Sequence, residues 1–199
     1  MSAVKEQGSN PRIVNGVNVN QLFNTVDAVK ATPGVAKFKF HLQNKWIDGG
    51  HNRSTVDNFH GGGNEVTRTQ TFTLEADEPP LLLGRDLGPN PVEYLLAGLT
   101  SCVTTSIIYH AASRGIKIDE IESYLEGDID LRGFLGLDKN VRRGFQNIRM
   151  NFKIKADATD KELQEIVNLG PTFSLVFDSV TNGVPVTVKA EKKTAAQAA

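Results

Sequence analysis

The first regular pattern in the chain lies between Asn18 and Lys30, where apolar residues recur at steps of three and four. This spacing places them on one face of an α-helix. The residues on that face are Val19, Leu22, Phe23, Val26 and Val29. The pattern predicts a short amphipathic helix that ends before Thr32-Pro33-Gly34, which contains two helix breakers.

From Val35 onwards the period changes to two, which is typical of β-strands with one buried face. We expect strands over residues 35–46, 54–59 and 65–76. Glycines in Asp48-Gly49-Gly50 and at 61–63 predict the turns that separate these strands. The early half of the chain is therefore predicted to be rich in β-structure.

A long helix is predicted from Pro91 to Arg114, after a loop rich in proline and glycine. Asn90 is a good N-cap, Glu93 has the spacing of a capping box, and Gly115 is a typical C-terminal stop. The apolar residues of one face are Val92, Leu95, Leu96, Leu99, Cys102, Val103 and Ile107. The helix would be about 35 Å long, so we expect it to run through the centre of the fold.

Two further strands are expected over residues 116–130 and 145–156, because apolar residues alternate there again. The connection between them is Leu131-Arg132-Gly133-Phe134-Leu135-Gly136-Leu137, in which large apolar residues stand beside glycines. Exposure of these side chains to water would be costly. We therefore expect the connection to form a pocket wall or an oligomer interface.

The C-terminal part of the chain carries helix signals followed by one more strand pattern. Thr159 or Asp160 caps a helix that runs through Leu169, and Gly170-Pro171 is expected to break it. The remaining elements are predicted to be a short helix over 173–180, a turn at Asn182-Gly183, a strand over 184–188 and an Ala-rich tail.

Charge and composition are those of an ordinary globular protein, with 22 Lys and Arg against 23 Asp and Glu. This balance gives no electrostatic reason to expect a nucleic-acid partner. No apolar run reaches the length of a membrane span, and the N-terminal residues lack the apolar centre of a signal peptide. A single cysteine cannot form an intrachain disulfide. We therefore expect a cytoplasmic protein.

Cys102 is the single cysteine and lies on the apolar face of the long predicted helix. Two interpretations stay open at this point: a nucleophile in a sheltered pocket, or a small core residue. The histidines are scattered without the spacing of metal ligands, at His41, His51, His60 and His110. We predict neither a metal site nor a cofactor.

Three ordered segments together resemble one protein family. They are Gly88-Pro89-Asn90-Pro91-Val92-Glu93-Tyr94-Leu95-Leu96 with Cys102, Leu131-Arg132-Gly133-Phe134-Leu135-Gly136, and Phe177-Asp178-Ser179-Val180-Thr181-Asn182-Gly183-Val184-Pro185-Val186. From Val35 to Lys189 the chain resembles the OsmC family of osmotically inducible and organic-hydroperoxide-resistance proteins. The resemblance implies an α+β fold in which two chains intertwine as a homodimer, with bent antiparallel sheets around two central helices.

The chain divides accordingly into three parts. Residues 1–34 form an N-terminal extension that contains the short amphipathic helix and lies outside the resemblance. Residues 35–190 form the OsmC-like domain, and residues 191–199 form a tail that we expect to be disordered.

In the peroxidase members of the family, a thiolate attacks the O–O bond of a hydroperoxide and becomes a sulfenic acid. A second cysteine then converts the sulfenic acid into a disulfide. By resemblance, Cys102 is the attacking thiol, and an arginine held by a carboxylate stabilises the anion. Arg53 takes the place of that arginine, with Arg68 as the alternative.

Two features of the sequence depart from the peroxidase pattern. Val92 occupies the position of the family's glutamate, and the carboxylate follows one residue later at Glu93, about 100° further around the helix. Glu93 is therefore either the catalytic carboxylate or only a helix cap. Ser174 matches the position of the second cysteine, and its hydroxyl cannot form a disulfide with Cys102. A cycle that uses two cysteines of one chain is excluded.

The resemblance favours a thiol-dependent peroxidase in which Cys102, Arg53 and Glu93 reduce an organic hydroperoxide and an external thiol is the reductant. The missing second cysteine keeps another hypothesis open, a non-catalytic protein that binds a small apolar ligand. A third is an interaction protein whose N-terminal helix docks a partner. The expected partners are the hydroperoxide or ligand, the thiol and a second copy of the chain, without nucleic acid or membrane.

Overall fold

The structure is a computed structural model that describes residues 10–192. Its helices are α1 (Val19–Ala31), α2 (Pro91–Arg114), α3 (Leu131–Phe134), α4 (Asp160–Phe173) and α5 (Leu175–Asn182). Its strands are β1 (Ile13–Val14), β2 (Val17–Asn18), β3 (Gln43–Asp48), β4 (His51–Val56), β5 (Phe59–Gly61), β6 (Asn64–Val66), β7 (Phe72–Ala76), β8 (Ile118–Asp128) and β9 (Asn147–Ala156). The predicted α+β class is confirmed.

The strands form several small antiparallel sheets. In the three-stranded sheet, β4 lies between β3 and β7, and Arg53 of β4 is paired with Lys45 on one side and Glu75 on the other. β8 and β9 lie where the alternating patterns predicted strands, and they pair with each other in a long two-stranded sheet. The pairs β1–β2 and β5–β6 are short hairpins.

Helix α2 is the centre of the hydrophobic core because α4, α5 and β8 all pack against it. The buried residues of the core are Leu99, Val103, Ile107, Ala111, Ile118 and Ile166. By length and composition alone, α2 would also suit a membrane span. Its contacts with α4 and β8 make it instead the central helix that the sequence predicted.

Both ends of α2 are confirmed at the predicted residues. Asn90 Oδ1 accepts a hydrogen bond from the Glu93 amide at 2.9 Å, and Glu93 Oε2 accepts one from the Asn90 amide at 2.8 Å. These two bonds form a capping box. Gly115, with a φ of 75°, ends the helix in the left-handed conformation that glycine adopts at little cost.

Helix α1 is confirmed as well, with Asn18 as its N-cap. The hairpin before it is attached to the rest of the molecule by Asn15. The Asn15 side chain donates to the Ile116 carbonyl at 3.0 Å and accepts from the Ile118 amide at 2.8 Å. The N-terminal extension is therefore fixed to the segment that follows α2.

The strand predicted over residues 35–46 is wrong for most of its length. Residues Pro33–Ala36 form a turn of 3-10 helix, one isolated bridge joins Lys39 to His60, and β3 begins only at Gln43. The apolar side chains that produced the alternating pattern form an aromatic stack instead of one face of a strand. Its rings are those of Phe38, Phe40 and Phe59.

The other early strands are displaced from their predicted bounds. The returning strand, expected over 54–59, is β4 and covers His51–Val56. The strand expected over 65–76 is divided into β6 and β7. Gly62 and Gly63 have positive φ angles and close a tight hairpin between β5 and β6. β6 pairs with β5 over three residues only.

Two predictions at the C-terminal end are also wrong. Helix α4 does not break at Gly170-Pro171 but continues to Phe173. Although a proline removes one amide donor from a helix, the burial of Ile166 and Gly170 against α2 keeps α4 continuous. The segment 184–188 is exposed and pairs with no strand among residues 10–192. Most of the predicted tail lies outside the described residues.

Candidate functional site

Cys102 lies about three turns into α2, at the margin of the hydrophobic core. Its neighbours Leu99 and Val103 are buried, whereas Cys102 itself is half-buried. Ser106 Oγ donates to the backbone carbonyl of Cys102 at 3.0 Å. Within residues 10–192 the thiol forms no hydrogen bond of its own. Cys102 is therefore partly accessible in the single chain and has buried apolar residues beside it on the helix.

Glu93 does not extend towards Cys102 but caps its own helix. The carboxylate accepts from the Asn90 amide, which satisfies one of the free donors at the start of α2. A carboxylate at this position also interacts favourably with the helix dipole. The geometry favours the cap among the two interpretations of Glu93 that the sequence left open.

Arg53 is held by a carboxylate, and that carboxylate is Glu75 of the neighbouring strand. Arg53 Nε donates to Glu75 Oε1 at 2.6 Å, and His51 Nε2 lies 2.7 Å from Glu75 Oε2. The hydrogen bond from His51, followed by that from Arg53, lowers the pKa of Glu75 below its ordinary value. The carboxylate of Glu75 is therefore ionised at neutral pH.

Further contacts fix the strand end that carries Glu75. The hydroxyl of Tyr94, in the first turn of α2, donates to the Glu75 carbonyl at 2.6 Å. Gly88 lies so close to that carbonyl that an added Cβ would clash with the oxygen. The buried carboxylate of Asp77 accepts from the amides of Glu78 and Arg85 at 2.9 and 3.1 Å. The loop before α2 is thereby attached to β7.

The two faces of the three-stranded sheet have different surroundings. Arg53 and Glu75 are paired in register, so their side chains lie on the same face. The opposite face lines a cavity of about 290 Å³ together with the start of α2. Its lining residues are Leu42, Asn44, Asn52, Ser54, Leu74, Ala76, Pro91 and Tyr94. Among residues 10–192 no hydrogen bond joins Arg53 to Cys102, and the catalytic set Cys102, Arg53 and Glu93 stays a prediction.

Arg68, the alternative arginine, belongs to the aromatic stack. Its guanidinium lies over the ring of Phe59 at 5.0 Å and over the ring of Phe72 at 5.6 Å. Arg68 Nε also donates to the Asp57 carbonyl at 2.9 Å. These contacts make Arg68 a structural residue of this hairpin within the single chain.

Ser174, at the position of the missing second cysteine, is a buried helix cap. Its exposed fraction is 1%, and its hydroxyl accepts from the Phe177 amide at 3.1 Å, at the start of α5. Serine at this position therefore has a structural role, because serine is among the preferred N-cap residues.

The apolar residues of the connection, expected at a pocket wall or an oligomer interface, lie at the surface of the single chain, as does Phe173. Phe134, Leu135 and Phe173 are exposed. The ring of Phe173 also packs on His110, with 4.5 Å between the ring centroids. Burial, followed by the charge of Arg114, lowers the pKa of His110, so its imidazole is neutral at pH 7.

Metal chemistry has no candidate ligand set in the part of the chain that the structure describes. No group of three or more His, Cys, Asp or Glu side chains there could hold a metal ion.

Reasoning from sequence missed Glu75 and His51. Glu75 lies in a predicted strand and His51 in the predicted turn before Ser54, and either could have been taken for a solvated polar residue. Glu75 is brought to Arg53 by the strand register, which pairs residue 75 with residue 53. This register depends on where each strand begins.

The molecule is thus an α+β protein whose central helix carries a thiol. The family model described as OsmC-like protein matches residues 84–189. This match covers more than half of the chain, and the chain belongs to the OsmC-like family. Comparison with curated protein sequences finds no significant match.

Solved structures with the same fold have low sequence identity to this chain. An OsmC-like protein from Mycoplasma pneumoniae superimposes with a TM-score of 0.54 at 15% identity, over 71% of this chain and 86% of that protein. An organic hydroperoxide resistance protein OsmC from Legionella pneumophila superimposes with a TM-score of 0.51 at 14% identity, over 73% of this chain and 90% of that protein. An OsmC-like protein from Vibrio cholerae superimposes with a TM-score of 0.51 at 12% identity, over 72% of this chain and 94% of that protein. At these identities the likeness concerns the fold alone.

Proposed function

We propose that this OsmC-like protein reduces organic hydroperoxides with Cys102 as its sole redox-active residue. The observation that carries the proposal is the position of Cys102, half-buried on the central helix of a fold whose relatives include a hydroperoxide resistance protein. Apolar residues beside the sulfur suit an alkyl substituent on the peroxide.

The reaction has two stages. The thiolate of Cys102 attacks the terminal peroxide oxygen, the O–O bond breaks, and the alkoxide takes a proton to leave as an alcohol. Cys102 is then a sulfenic acid. One external thiol attacks it and forms a mixed disulfide with loss of water, and a second external thiol releases Cys102 and leaves as the oxidised external disulfide. A cytoplasmic thiol pool supplies this reductant.

The active protein in this proposal is a homodimer in which Arg53 of one chain approaches Cys102 of the partner subunit. Support comes from the sheet, because the start of α2 from the same chain lies on the face opposite to Arg53. Further support comes from the extent of apolar surface. Trp46 is 64% exposed, all of β3 is exposed, and 28% of the most apolar stretch of α2 is buried in the single chain.

Turnover of cumene hydroperoxide with dithiothreitol tests the reaction. We expect Cys102→Ser to reduce turnover to the uncatalysed rate, whereas Thr104→Ser, a small change on the same helix, leaves it unchanged. Mass spectrometry of the parent treated with peroxide and no thiol should detect one added oxygen on Cys102. Equal turnover by Cys102→Ser and the parent would refute the proposal.

A second candidate function is the binding of a small apolar ligand without chemistry. The cavity of about 290 Å³ between the sheet and the start of α2 favours it, because Leu42, Leu74 and Ala76 contribute to its lining. Titration with a fluorescent fatty acid tests this function. Saturable binding that is weakened by Ala76→Trp, in a protein whose thiol does not react with hydroperoxide, would favour it over the peroxidase.

A further inference from the structure

We infer that Glu75 and His51, rather than Glu93, are the residues that position the guanidinium of Arg53. The inference rests on the proposed function in one respect, the role of Arg53 at the thiol. The contacts themselves belong to the described chain and can be tested without any reaction.

The Arg53 guanidinium has one donor engaged and the others available. Its Nε donates to Glu75 Oε1 at 2.6 Å, and among residues 10–192 its terminal nitrogens donate to no acceptor. A guanidinium carries five N–H donors in a rigid plane. A hydrogen bond at Nε restricts the orientation of that plane and leaves the terminal N–H groups available to stabilise a thiolate or a peroxide oxygen.

Glu75 is itself held from several directions. Arg53 and Glu75 are directly paired on β4 and β7, so their side chains are adjacent on the sheet. The backbone carbonyl of Glu75 accepts from Tyr94 of α2, and Gly88 packs against the same carbonyl. The carboxylate is therefore fixed relative to the helix that carries Cys102.

His51 provides the second hydrogen bond to Glu75, and it is buried. Its exposed fraction is 7%, and Nε2 lies 2.7 Å from Glu75 Oε2. An ionised carboxylate only accepts, so Nε2 is the donor of this hydrogen bond. Nδ1 is then buried and has no hydrogen-bond partner among the described residues. Because an unpaired buried polar atom is costly, stability alone does not account for His51, and its bond to Glu75 gives it a role.

Glu93 has no comparable arrangement. Its carboxylate is part of the capping box with Asn90, and no arginine contacts it within residues 10–192. The position that the family uses for its glutamate holds Val92 here. In this chain the carboxylate partner of the arginine has moved from the helix to the sheet.

The experiment compares Glu75→Gln with Glu93→Gln and with Glu65→Gln. Glu65 is the matched control, because it forms an exposed His–Glu pair with His60 at 3.1 Å in the neighbouring hairpin. The readout is the second-order rate constant for oxidation of Cys102 by cumene hydroperoxide. We expect Glu75→Gln to lower it about 10- to 100-fold through loss of orientation, and His51→Leu about threefold to tenfold through loss of one hydrogen bond. Glu65→Gln should stay within twofold of the parent, and Glu93→Gln, which keeps the capping box, should lower the rate constant less than Glu75→Gln does.

A double-mutant cycle distinguishes positioning from a general structural effect. If Glu75 acts through Arg53, Glu75→Gln has no further effect on the rate constant in an Arg53→Ala background. An undiminished effect in that background would overturn the inference. So would loss of activity in Glu93→Gln with none in Glu75→Gln.

A second measurement keeps the inference separate from the proposed function. In the parent, in Glu93→Gln and in Glu65→Gln, the Nε–H proton of Arg53 should exchange slowly and give a distinct NMR resonance. In Glu75→Gln the slow exchange and the distinct resonance should both be lost. If the parent does not react with hydroperoxide but this pattern is observed, the proposed function fails and the positioning of Arg53 stands. An unchanged Arg53 resonance in Glu75→Gln would overturn the positioning itself.

Discussion

Single residues determine the shape of the loop that leads into α2, and Asp77 is the main one. Its buried carboxylate accepts from the amides of Glu78, Arg85 and Leu87, at 2.9, 3.1 and 3.4 Å. Burial alone would raise the pKa of Asp77, but these backbone hydrogen bonds lower it below its ordinary value. A lowered pKa means that the folded state favours the ionised form.

We therefore expect acid to weaken the fold through Asp77. The stabilisation is complete above the pKa of aspartate in the unfolded chain, about 3.9, and is lost as the pH falls through the lower pKa of the folded state. Asp77→Asn should reduce the free energy of unfolding at pH 7, because an amide nitrogen would face backbone donors. The difference between the parent and Asp77→Asn should shrink between pH 5 and pH 2, as measured by urea unfolding.

The control for this prediction is Asp86→Asn in the same loop. Asp86 is exposed and has a φ of 60°, which asparagine also tolerates. The unfolding free energy of the Asp86→Asn variant should equal that of the parent at each pH. A constant difference between the parent and Asp77→Asn across the pH range would contradict the role given to the Asp77 carboxylate.

At the scale of elements, the close contact of α2 with α4 organises the core. Gly170 is the point of closest approach, since an added Cβ would lie 2.7 Å from Ile107 Cγ1 and 3.0 Å from Val103 Cγ1. This contact explains why α4 continues past the residue at which the sequence predicted a break. Glycine is needed here for space, because its helical φ is open to any residue.

Gly170→Ala tests this contact through two opposing effects. Alanine is a better helix former than glycine by about 1 kcal/mol. Overpacking against Ile107 and Val103 should cost about 1–3 kcal/mol. We expect a net loss of unfolding free energy of up to about 2 kcal/mol by urea denaturation. Gln164→Ala, at an exposed position of α4, should change it by less than about 0.5 kcal/mol. A more stable Gly170→Ala variant would show that α4 can move away from α2.

The elements that could be predicted from the sequence are those with local signals. The caps at Asn18, Asn90 and Thr159 define the starts of three helices within a few residues of chain, and all three are present. Strand bounds depend on a partner that the sequence does not name, which is why β3 begins later than predicted. For the same reason the pairing of Arg53 with Glu75 could not be predicted.

The candidate site was therefore predictable only in part. The resemblance led to Cys102, and the capping-box spacing correctly offered a structural alternative for Glu93. The position of Ser174 was also found, but its use as the cap of α5 was not, since the sequence placed the start of that helix near Phe173.

At the scale of the whole molecule, the single chain leaves large apolar side chains in contact with water. Trp46, Phe40, Leu81 and Leu83 are all exposed, as is the segment 184–188, which lacks a strand partner among the described residues. Large exposed apolar patches are typical of interfaces between proteins. A second copy of the chain is the occupant that our proposed function requires.

We expect sedimentation equilibrium to give twice the mass of one chain. Trp46→Glu should shift the molecule towards the monomer, because a charge would be placed in the interface without a partner. Gln164→Glu adds the same charge at an exposed polar position and should leave the mass unchanged. A monomeric parent at micromolar concentration would contradict the homodimer.

The buried serine that caps α5 has a consequence for how long an oxidised molecule persists. With no second cysteine in the chain, an oxidised Cys102 can be restored only by a thiol from outside the chain. Under the proposed reaction, the lifetime of the sulfenic acid is then inversely proportional to the concentration of that thiol. The oxidised fraction of the protein would follow the ratio of hydroperoxide to thiol around it, so the same residue that stabilises a helix makes the chain a measure of its redox surroundings.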